Sequence, residues 1–400
     1  MQMKVTGIIA EYNPFHKGHE AMIQECRSGG ATHVVAVMSG NFVQRGSVAI
    51  MDKRSRAAAA LQGGADLVVE LPVPWAVATA ERFAYGGVSV LNALGCVDLL
   101  QFGAECTDRQ QFLTVEQALR NPATDARIKE ELEGGISYPV ARANAVEAIL
   151  GSEQAAFLNG PNNILGLEYV KALQKLHSKM DFCPVSRSGS EHDALKITGE
   201  FASASALRIR LERGDKSAYD YMPKASVELF EQQKRVGRAP VVQDESERAI
   251  LSRLRMLSAE DIAAAPDISE GLENRIYNAI QSATSLEELY DIIKTKRYTH
   301  SRIRRIITAL YLGLTADVNQ LEVPYIRVLG FNERGRELLK VAKQTATLPI
   351  VTKTAQISTL SPEARQVFDY ECRATNLYNL ATPRILPCGT ELSDELIIVS

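Results

Sequence analysis

The first hundred residues alternate regularly between short apolar or β-branched runs and longer segments of helical character. The runs are typical of strands and the longer segments of helices. Because strands that alternate with helices are joined by right-handed crossovers, the pattern predicts an α/β fold with a parallel sheet and ligands at the carboxyl ends of its strands. The predicted elements are strand Val5–Ala10, helix Lys17–Arg27, strand His33–Met38, helix Lys53–Gln62, strand Asp66–Leu71, helix Ala78–Leu94 and strand Asp98–Phe102.

The rest of the chain is predicted to be largely helical. From about residue 215 onward, Leu, Ile and Ala recur at three- and four-residue spacing. We therefore predict an α/β domain over residues 1–215 and a mainly helical region over residues 216–400. The remaining predicted segments are a polar helical stretch over 108–160, helix Asn162–Leu176, strand Phe182–Ser186, helix Ser203–Glu212 and a short β-type tail at Leu396–Val399.

Charge and cysteine content narrow the classes of protein to which the chain can belong. The net charge is −3, so any site for a polyanion must be a local patch. The six cysteines form no Cys-X-X-Cys pair and have no zinc-ligand spacing, which indicates reduced thiols and no metal site. The apolar start is too short for a signal peptide, and no segment reaches the ~18 apolar residues of a membrane span. We expect a cytoplasmic protein.

The residues that carry chemistry follow the first strand. Glu11–His19 reads Glu-Tyr-Asn-Pro-Phe-His-Lys-Gly-His and opens the first helix, where free N–H groups and a partial positive charge attract phosphate. His16 and His19 project from one side of the first turn, and Gly18 lets a nucleotide approach the backbone. We predict that both histidines are catalytic and donate hydrogen bonds to the charge that develops on the α-phosphate. The alternative, a histidine pair on a helix surface, is disfavoured at this strand-to-helix turn.

This turn and several longer blocks resemble a known family. His16–His19 resembles the signature of the HIGH-type nucleotidyltransferase superfamily, which includes class I aminoacyl-tRNA synthetases. More narrowly, the chain is similar to the bacterial tRNA(Met) cytidine acetate ligase family, closely over residues 4–210 and more loosely beyond them. The blocks that carry this similarity are Glu11–His16, Met38–Gly46, Gly64–Pro72, Phe102–Glu105 and Pro161–Gly166.

The resemblance implies a specific activity and architecture. Residues 1–215 would form a Rossmann-like nucleotidyltransferase domain that activates acetate with ATP, forming acetyl-adenylate and pyrophosphate. The acetyl group would then pass to the wobble cytidine of elongator tRNA(Met), giving N4-acetylcytidine, with residues 216–400 contributing to tRNA binding. ATP would be a substrate with Mg²⁺ as its counter-ion and no dedicated metal site. The resemblance implies neither a membrane nor a stable protein partner.

The resemblance also implies which residues bind ATP. They are Ile9, Ala10, Glu11, Tyr12, Asn13, Pro14, Phe15, His16, Lys17, Gly18, His19, Gly103, Asn162, Asn163, Arg187 and Ser188. The residue types are compatible with this role, but simpler alternatives stay open. Gly103 could be an ordinary turn glycine, and Asn162 and Asn163 could only cap a helix. Arg187 could pair with a phosphate or be a solvated surface charge.

A second nucleotide motif is predicted further along the chain. Phe201–Arg208 resembles the segment of adenylyltransferases in which a serine-rich helix start and an arginine hold the β- and γ-phosphates. Ser203, Ser205 and Arg208 would have this role here, although an ordinary capped helix explains the serines equally well. The lysine-rich loop that synthetases use at the matching place is absent from the sequence, which argues against an aminoacyl-tRNA synthetase.

A basic segment is the candidate tRNA site. Lys294–Arg305 contains six Lys or Arg residues and no acidic residue, which favours phosphate contacts with Tyr298 and His300 available for stacking on bases. The alternative is the solvated face of a helix. The predicted tRNA-binding residues are Lys294, Lys296, Arg297, Arg302, Arg304 and Arg305.

Two other functions compete with the acetate ligase. One is an adenylyltransferase that acts on a small phosphorylated metabolite and leaves the nucleotidyl group on its product. The other is a non-catalytic nucleotide-binding regulator, which the intact His16 and His19 disfavour. The tRNA-directed activity is preferred, because a small substrate does not need a large helical region with a basic segment.

Overall fold

A mostly parallel sheet surrounded by helices forms the centre of the molecule. The computed structural model describes residues 3–186, 201–269, 271–295, 298–393 and 395–399. The strands in this part of the chain are β1 (Val5–Ala10), β2 (His33–Ser39), β3 (Phe42–Val43), β4 (Ser47–Val48), β5 (Leu67–Leu71), β6 (Leu99–Ala104), β7 (Asp181–Ser186), β8 (Ile326–Phe331), β9 (Ile350–Val351) and β10 (Ile397–Ile398).

Helices make up most of the remaining described chain. The predicted helices of the first hundred residues are confirmed with small shifts at their ends, and so are the helical stretch after residue 108 and the mainly helical C-terminal region. The helices are α1 (Lys17–Ser28), α2 (Lys53–Gln62), α3 (Val73–Ala76), α4 (Ala80–Ala93), α5 (Arg109–Leu119), α6 (Pro122–Glu133), α7 (Tyr138–Leu150), α8 (Ser152–Ala155), α9 (Pro161–Lys175), α10 (Ala204–Glu212), α11 (Lys224–Arg235), α12 (Glu247–Leu254), α13 (Ala259–Ala263), α14 (Leu272–Ser282), α15 (Leu286–Ile293), α16 (His300–Leu312), α17 (Glu333–Thr345), α18 (Pro362–Tyr378) and α19 (Thr390–Ser393).

The order of the strands determines where a ligand can bind. The main sheet runs β10-β8-β5-β2-β1-β6-β7, with β9 beside β8. The five strands from β5 to β7 are parallel, which confirms the predicted α/β sheet. The first strand lies in the middle, and successive strands are added on one side of it and then on the other. The strand order therefore reverses between β1 and β6, and in such sheets the crevice at the carboxyl ends of these strands binds the ligand.

The C-terminal region adds strands to the same sheet, which the sequence did not predict. β8 pairs antiparallel with β5, and both β9 and β10 run parallel to β8. Every residue of β8 is buried, so its run of apolar residues has no alternation of buried and exposed positions that would distinguish it from a short helix. The predicted β-type tail at Leu396–Val399 is confirmed as β10.

The central strands are buried on both faces. In β2, Val35 and Val37 pack into the hydrophobic cluster on one side of the sheet, while Val34, Ala36 and Met38 pack into the cluster on the other. Strands covered on both faces in this way are read as continuous apolar runs, which is why β2 could be recognised from its sequence. The sheet is therefore a rigid support for the loops at its edge.

A buried ionic cluster joins the N-terminal strands to the C-terminal helices. Lys53 Nζ lies 2.5 Å from Glu70 Oε1 and 2.8 Å from Glu391 Oε1, and Arg327 pairs with the same two carboxylates. Burial, followed by the charge of Glu70, raises the pKa of Glu371 to about 8. Burial opposes ionisation of Glu391, but Lys53 and Arg327 outweigh it and lower the pKa of Glu391 to about 2. With Glu371 protonated, two cations balance two anions inside the protein.

Candidate active site

The segment between β1 and α1 turns the chain from the sheet into the helix. Tyr12 adopts a left-handed backbone conformation with φ of 48°, and an ordinary side chain there costs about 1–3 kcal/mol that surrounding contacts must offset. The Tyr12 ring packs edge-on against Phe15 and His19, with centroids 5.0 and 4.9 Å away. Phe15 is fully buried in the core. The turn is therefore anchored by aromatic packing beneath the histidines.

His16 and His19 cap the helix that they open. Gly18 N donates to His16 Nδ1 over 3.1 Å, and His16 N donates to His19 Nδ1 over 3.3 Å, a reciprocal capping box. Because Nδ1 of each ring accepts a hydrogen bond, the neutral rings carry their protons on Nε2. A Cβ at Gly18 would lie 3.0 Å from His16 Cε1, so the His16 ring itself requires a small residue at this position. Each imidazole is thus oriented as a donor through Nε2.

Two arginines hold the carbonyl groups of this turn. Arg56 is fully buried and donates to the carbonyl oxygens of Glu11, Ser39, Gly40 and Met51. Arg208 Nη1 donates to Asn13 O over 2.7 Å and Arg208 Nη2 to Ser205 Oγ over 3.0 Å. The residues after β1 and β2 are therefore fixed to α2 and α10 by charge-assisted hydrogen bonds, which are stronger than neutral ones.

A cavity of about 480 Å³ lies at the edge of the sheet where the strand order reverses. Its volume falls in the ~300–1,000 Å³ range of small-molecule sites. Much of the predicted ATP site lines it, drawn from the first turn, the end of β6 and the starts of α9 and α10. The predicted residues that line the cavity are Ile9, Ala10, Glu11, Tyr12, Asn13, His16, Gly18, His19, Gly103, Asn162 and Ser203.

Other predicted ATP-binding residues lie beside the cavity. Asn163 Oδ1 accepts from the amides of Glu105 and Cys106 at 3.1 and 2.9 Å, so its side chain fixes the loop after β6. Ser203, which lines the cavity, also caps α10 by accepting from Ala206 N at 3.1 Å. The predicted residues that do not line the cavity are Pro14, Phe15, Lys17, Asn163, Ser205 and Arg208. Arg187 and Ser188 lie outside the described residues.

Part of the cavity lining was not predicted from the sequence. Gln44 and Arg45 reach the cavity from the turn between β3 and β4, and Phe83 reaches it from α4. Tyr169 on α9 also lines the cavity, and burial followed by the charge of Glu11 raises the pKa of its hydroxyl. Gln44 and Arg45 belong to the block Met38–Gly46 that carries the family resemblance, which was the one available signal for them.

The basic segment is only partly available for a polyanion. Arg302 and Arg305 both pair with Asp267, at 3.2 and 3.3 Å, and Tyr298 is buried beneath Arg302. The expectation that Tyr298 is available for stacking on bases is therefore wrong, because this ring is part of the helical core. The side chains of Lys294 and Arg304 are exposed, and the predicted residues Lys296 and Arg297 lie outside the described part of the chain.

Helix α16 lies directly against the turn that carries Gln44 and Arg45. Thr308 Oγ1 donates to Gly46 O over 2.9 Å. A Cβ at Gly46 would lie 2.5 Å from the backbone carbon of Arg304, and φ at Gly46 is 71°, so both the conformation and the close approach require glycine. The exposed Arg304 is thus close to one wall of the cavity.

The structure also bears on metal and membrane sites. Within the described residues, no three His, Cys, Asp or Glu side chains are grouped so that they could hold a metal ion. No helix in the same residues is long and apolar enough to cross a membrane.

Comparisons with known proteins show which family the chain belongs to. The model of the family described as HIGH Nucleotidyl Transferase matches residues 3–389. A tRNA(Met) cytidine acetate ligase of Acetivibrio thermocellus is 37% identical, covering 99% of this chain and 100% of the relative. One from Caldanaerobacter subterraneus subsp. tengcongensis is 40% identical over 95% of this chain and 96% of its own length.

Solved structures show the same fold. Apo Thermotoga maritima TmcAL superposes with a TM-score of 0.95 at 33% identity, covering 99% of this chain and all of that chain. The form bound with alpha-thio ATP superposes with a TM-score of 0.93 at 32% identity over the same shares of the two chains. The chain therefore belongs to the HIGH nucleotidyl transferase family and, within it, to the tRNA(Met) cytidine acetate ligases.

Proposed function

We propose that the protein forms acetyl-adenylate from ATP and acetate and transfers the acetyl group to N4 of the wobble cytidine in elongator tRNA(Met). The observation that carries this proposal is the stacked pair His16 and His19, oriented by the first turn of α1 inside the cavity where the strand order reverses. The proposal is supported by the similarity to a tRNA(Met) cytidine acetate ligase of Acetivibrio thermocellus and to Thermotoga maritima TmcAL bound with alpha-thio ATP.

In the first step, an acetate oxygen attacks the α-phosphorus and pyrophosphate leaves with the electrons of the broken P–O bond. Negative charge develops on the α-phosphate oxygens as the new bond forms. The Nε2–H groups of His16 and His19 are the donors proposed to stabilise that charge, because their Nδ1 atoms are occupied by backbone amides. Neither histidine needs to transfer a proton, so positioning and electrostatics carry the step.

The proposed nucleotide site extends from the histidines along the edge of the sheet. Gly103 and Asn162 would contact the adenosine, and Ser203 the phosphates, because these residues line the same cavity. Ser205 and Arg208 would support the nucleotide site indirectly. Arg208 donates to both Ser205 Oγ and Asn13 O, and it would thereby hold the turn that contains Asn13 in position. Mg²⁺ would arrive as the counter-ion of the triphosphate, and no step depends on a protein metal site.

In the second step, the cytidine amine attacks the acetyl carbonyl, loses a proton and displaces AMP. The tRNA would approach over Lys294 and Arg304, since these side chains are exposed and α16 contacts Gly46, the residue next to Arg45 of the cavity lining. Residues 216–400 would thus supply the tRNA surface, and residues 1–215 most of the activation site. We expect the protein to act in the cytoplasm, because its proposed substrate is a tRNA.

The test is acetylation of defined tRNA transcripts. The protein is incubated with ATP, labelled acetate and elongator tRNA(Met), and nucleosides are analysed by mass spectrometry. We expect N4-acetylcytidine in the wild-type transcript and none in a matched transcript with uridine at the wobble position. If the labelled acetyl group instead stayed joined to AMP in a small-molecule end product, the result would contradict the proposal and favour an adenylyltransferase.

A further inference from the structure

The charge of the cavity lining is unevenly distributed. Among the described lining residues, Arg45 is the one arginine or lysine, whereas Glu11 and Glu25 contribute carboxylates. Joining an acid to ATP brings a carboxylate next to a triphosphate, so two anions must approach each other. A guanidinium is suited to this task, since it stays charged and donates strong, charge-assisted hydrogen bonds to a carboxylate oxygen.

The backbone on both sides of Arg45 is fixed. Gln44 N donates to Glu11 Oε1 over 2.8 Å, and Gln44 Nε2 donates to Ala78 O over 2.9 Å. On the other side, Gly46 O accepts from Thr308 Oγ1 over 2.9 Å. These hydrogen bonds attach the turn to β1, to the start of α4 and to α16. Arg45 is therefore presented to the cavity from a supported position, as a site for a small ligand requires.

An apolar wall adjoins the same turn. Helix α4 is capped by Thr79, directly after the Ala78 carbonyl that binds Gln44. Phe83 lies one helical turn further along, 3% exposed, and lines the cavity. If the carboxylate of the acid bound to Arg45, the short carbon chain of the acid could thus pack against Phe83.

We propose, building on the proposed function, that Arg45 binds the carboxylate of the acid substrate and that Phe83 limits the length of its carbon chain. Arg45 holds one carboxylate oxygen while the other attacks the α-phosphorus. The P–O bond to the β-phosphate breaks, pyrophosphate leaves with the electron pair, and no proton is transferred. Screening of the acid by Arg45 lowers the repulsion between acid and triphosphate.

The first test compares Arg45→Gln and Arg45→Lys with wild type in acetate-dependent pyrophosphate release without tRNA. Loss of a charged hydrogen-bond partner predicts an acetate KM raised about 10–100-fold in Arg45→Gln, with partial recovery in Arg45→Lys. The Kd for ATP, measured by calorimetry without acetate, should change less than about 3-fold. Arg127→Gln, which alters an exposed arginine of α6 that does not line the cavity, is the matched control and should leave both constants unchanged.

Several outcomes would overturn the assignment of Arg45. An unchanged acetate KM would remove it from the acid site, and a parallel loss of ATP affinity would assign it to the phosphates. Phe83→Leu gives an independent readout, since a smaller side chain should raise the kcat/KM for propionate relative to acetate, and an unchanged ratio would count against the acid site. Absence of acetate-dependent pyrophosphate release from the wild-type protein would instead refute the proposed function itself, and the assignment of Arg45 with it.

Discussion

The imidazole rings of His16 and His19 stack with their centroids 3.7 Å apart, and the backbone amide of His16 donates to Nδ1 of His19. One pair of side chains thus has two tasks, since Nδ1 of each ring caps α1 and Nε2 remains the donor for chemistry. Replacing a histidine by alanine would remove both functions together. Variants that keep the cap but lose the Nε2–H group can separate them.

His16→Asn is predicted to keep the fold and lose acetate activation. An asparagine oxygen can accept the helix amide as His16 Nδ1 does, whereas alanine should cost about 1 kcal/mol of stability. The rate of pyrophosphate release should fall by about 10²–10³ in His16→Asn, as for loss of one transition-state donor. His177→Asn, at an exposed position with a left-handed backbone that asparagine tolerates, is the control. A wild-type rate in a folded His16→Asn variant would show that this ring only caps the helix.

Arg56→Met is predicted to destabilise the protein. Arg56 satisfies the buried carbonyls of Glu11 and Ser39, among others, and methionine leaves these groups without a donor. We expect a loss of about 2–4 kcal/mol in the free energy of unfolding, measured by chemical denaturation. Arg127→Met, at an exposed site on α6, should change it by less than about 0.5 kcal/mol. Equal stability of the two variants would mean that water replaces the guanidinium at no cost.

Glu371→Gln is predicted to become more stable than wild type as the pH rises. The pKa of Glu371 is raised from 4.5 to about 8 by burial and by Glu70, so the folded state binds its proton more tightly than the unfolded state. The resulting stabilisation is complete below the unfolded pKa and is lost as the pH rises through the folded pKa. Glutamine resembles the protonated acid but does not titrate. Between about pH 6 and pH 9 the variant should gain about 1–3 kcal/mol relative to wild type.

Unfolding by denaturant at several pH values measures this difference. Glu130→Gln, at an exposed position of α6, is the control and should show a difference from wild type that does not vary with pH. If Glu371→Gln gave the same flat profile, Glu371 would be ionised in the folded protein, and the buried cluster would carry a net negative charge.

The double variant Lys294→Gln/Arg304→Gln is predicted to weaken tRNA binding. Both side chains are exposed, and each lost phosphate contact should lower the log–log salt slope of the affinity by slightly under ~1 unit. The melting temperature should match wild type. Arg302→Gln is a useful contrast, since it breaks an ion pair with Asp267. This variant should lower the stability of the protein and leave the salt slope of tRNA binding almost unchanged. An unaltered salt slope in the double variant would move the tRNA surface elsewhere.

The local part of the site was predictable from sequence, and the long-range part was not. His16 and His19 lie three residues apart in one turn, so their spacing and the preceding strand were enough to place them together. The turn that carries Arg45 is supported by the hydrogen bond between Gly46 and Thr308, which are far apart in sequence. No periodicity encodes such a contact, and only the family resemblance indicated that the block around Arg45 mattered.

Contacts between residues far apart in sequence also explain why the ion pairs of the basic segment and strand β8 were not predicted. The run Lys294–Arg305 was interpreted as a basic surface, but two of its arginines form ion pairs with Asp267 from a distant segment. Strand β8 was missed because its partner β5 lies far earlier in the chain and its short apolar run fits helix and strand equally. Helices α1 and α2, by contrast, begin at caps formed by neighbouring residues, so their bounds were predicted closely.

In the proposed reaction, acetate itself attacks the α-phosphorus of ATP in the cavity that holds His16 and His19. The most direct measurement uses acetate labelled with ¹⁸O in both carboxylate oxygens, with ATP and elongator tRNA(Met), followed by mass spectrometry of the AMP. One acetate oxygen becomes part of the new P–O bond and stays with AMP when the acetyl group moves to the tRNA. We expect one ¹⁸O atom in each AMP formed with acetylated tRNA. AMP without ¹⁸O, or ADP formed in its place, would contradict it.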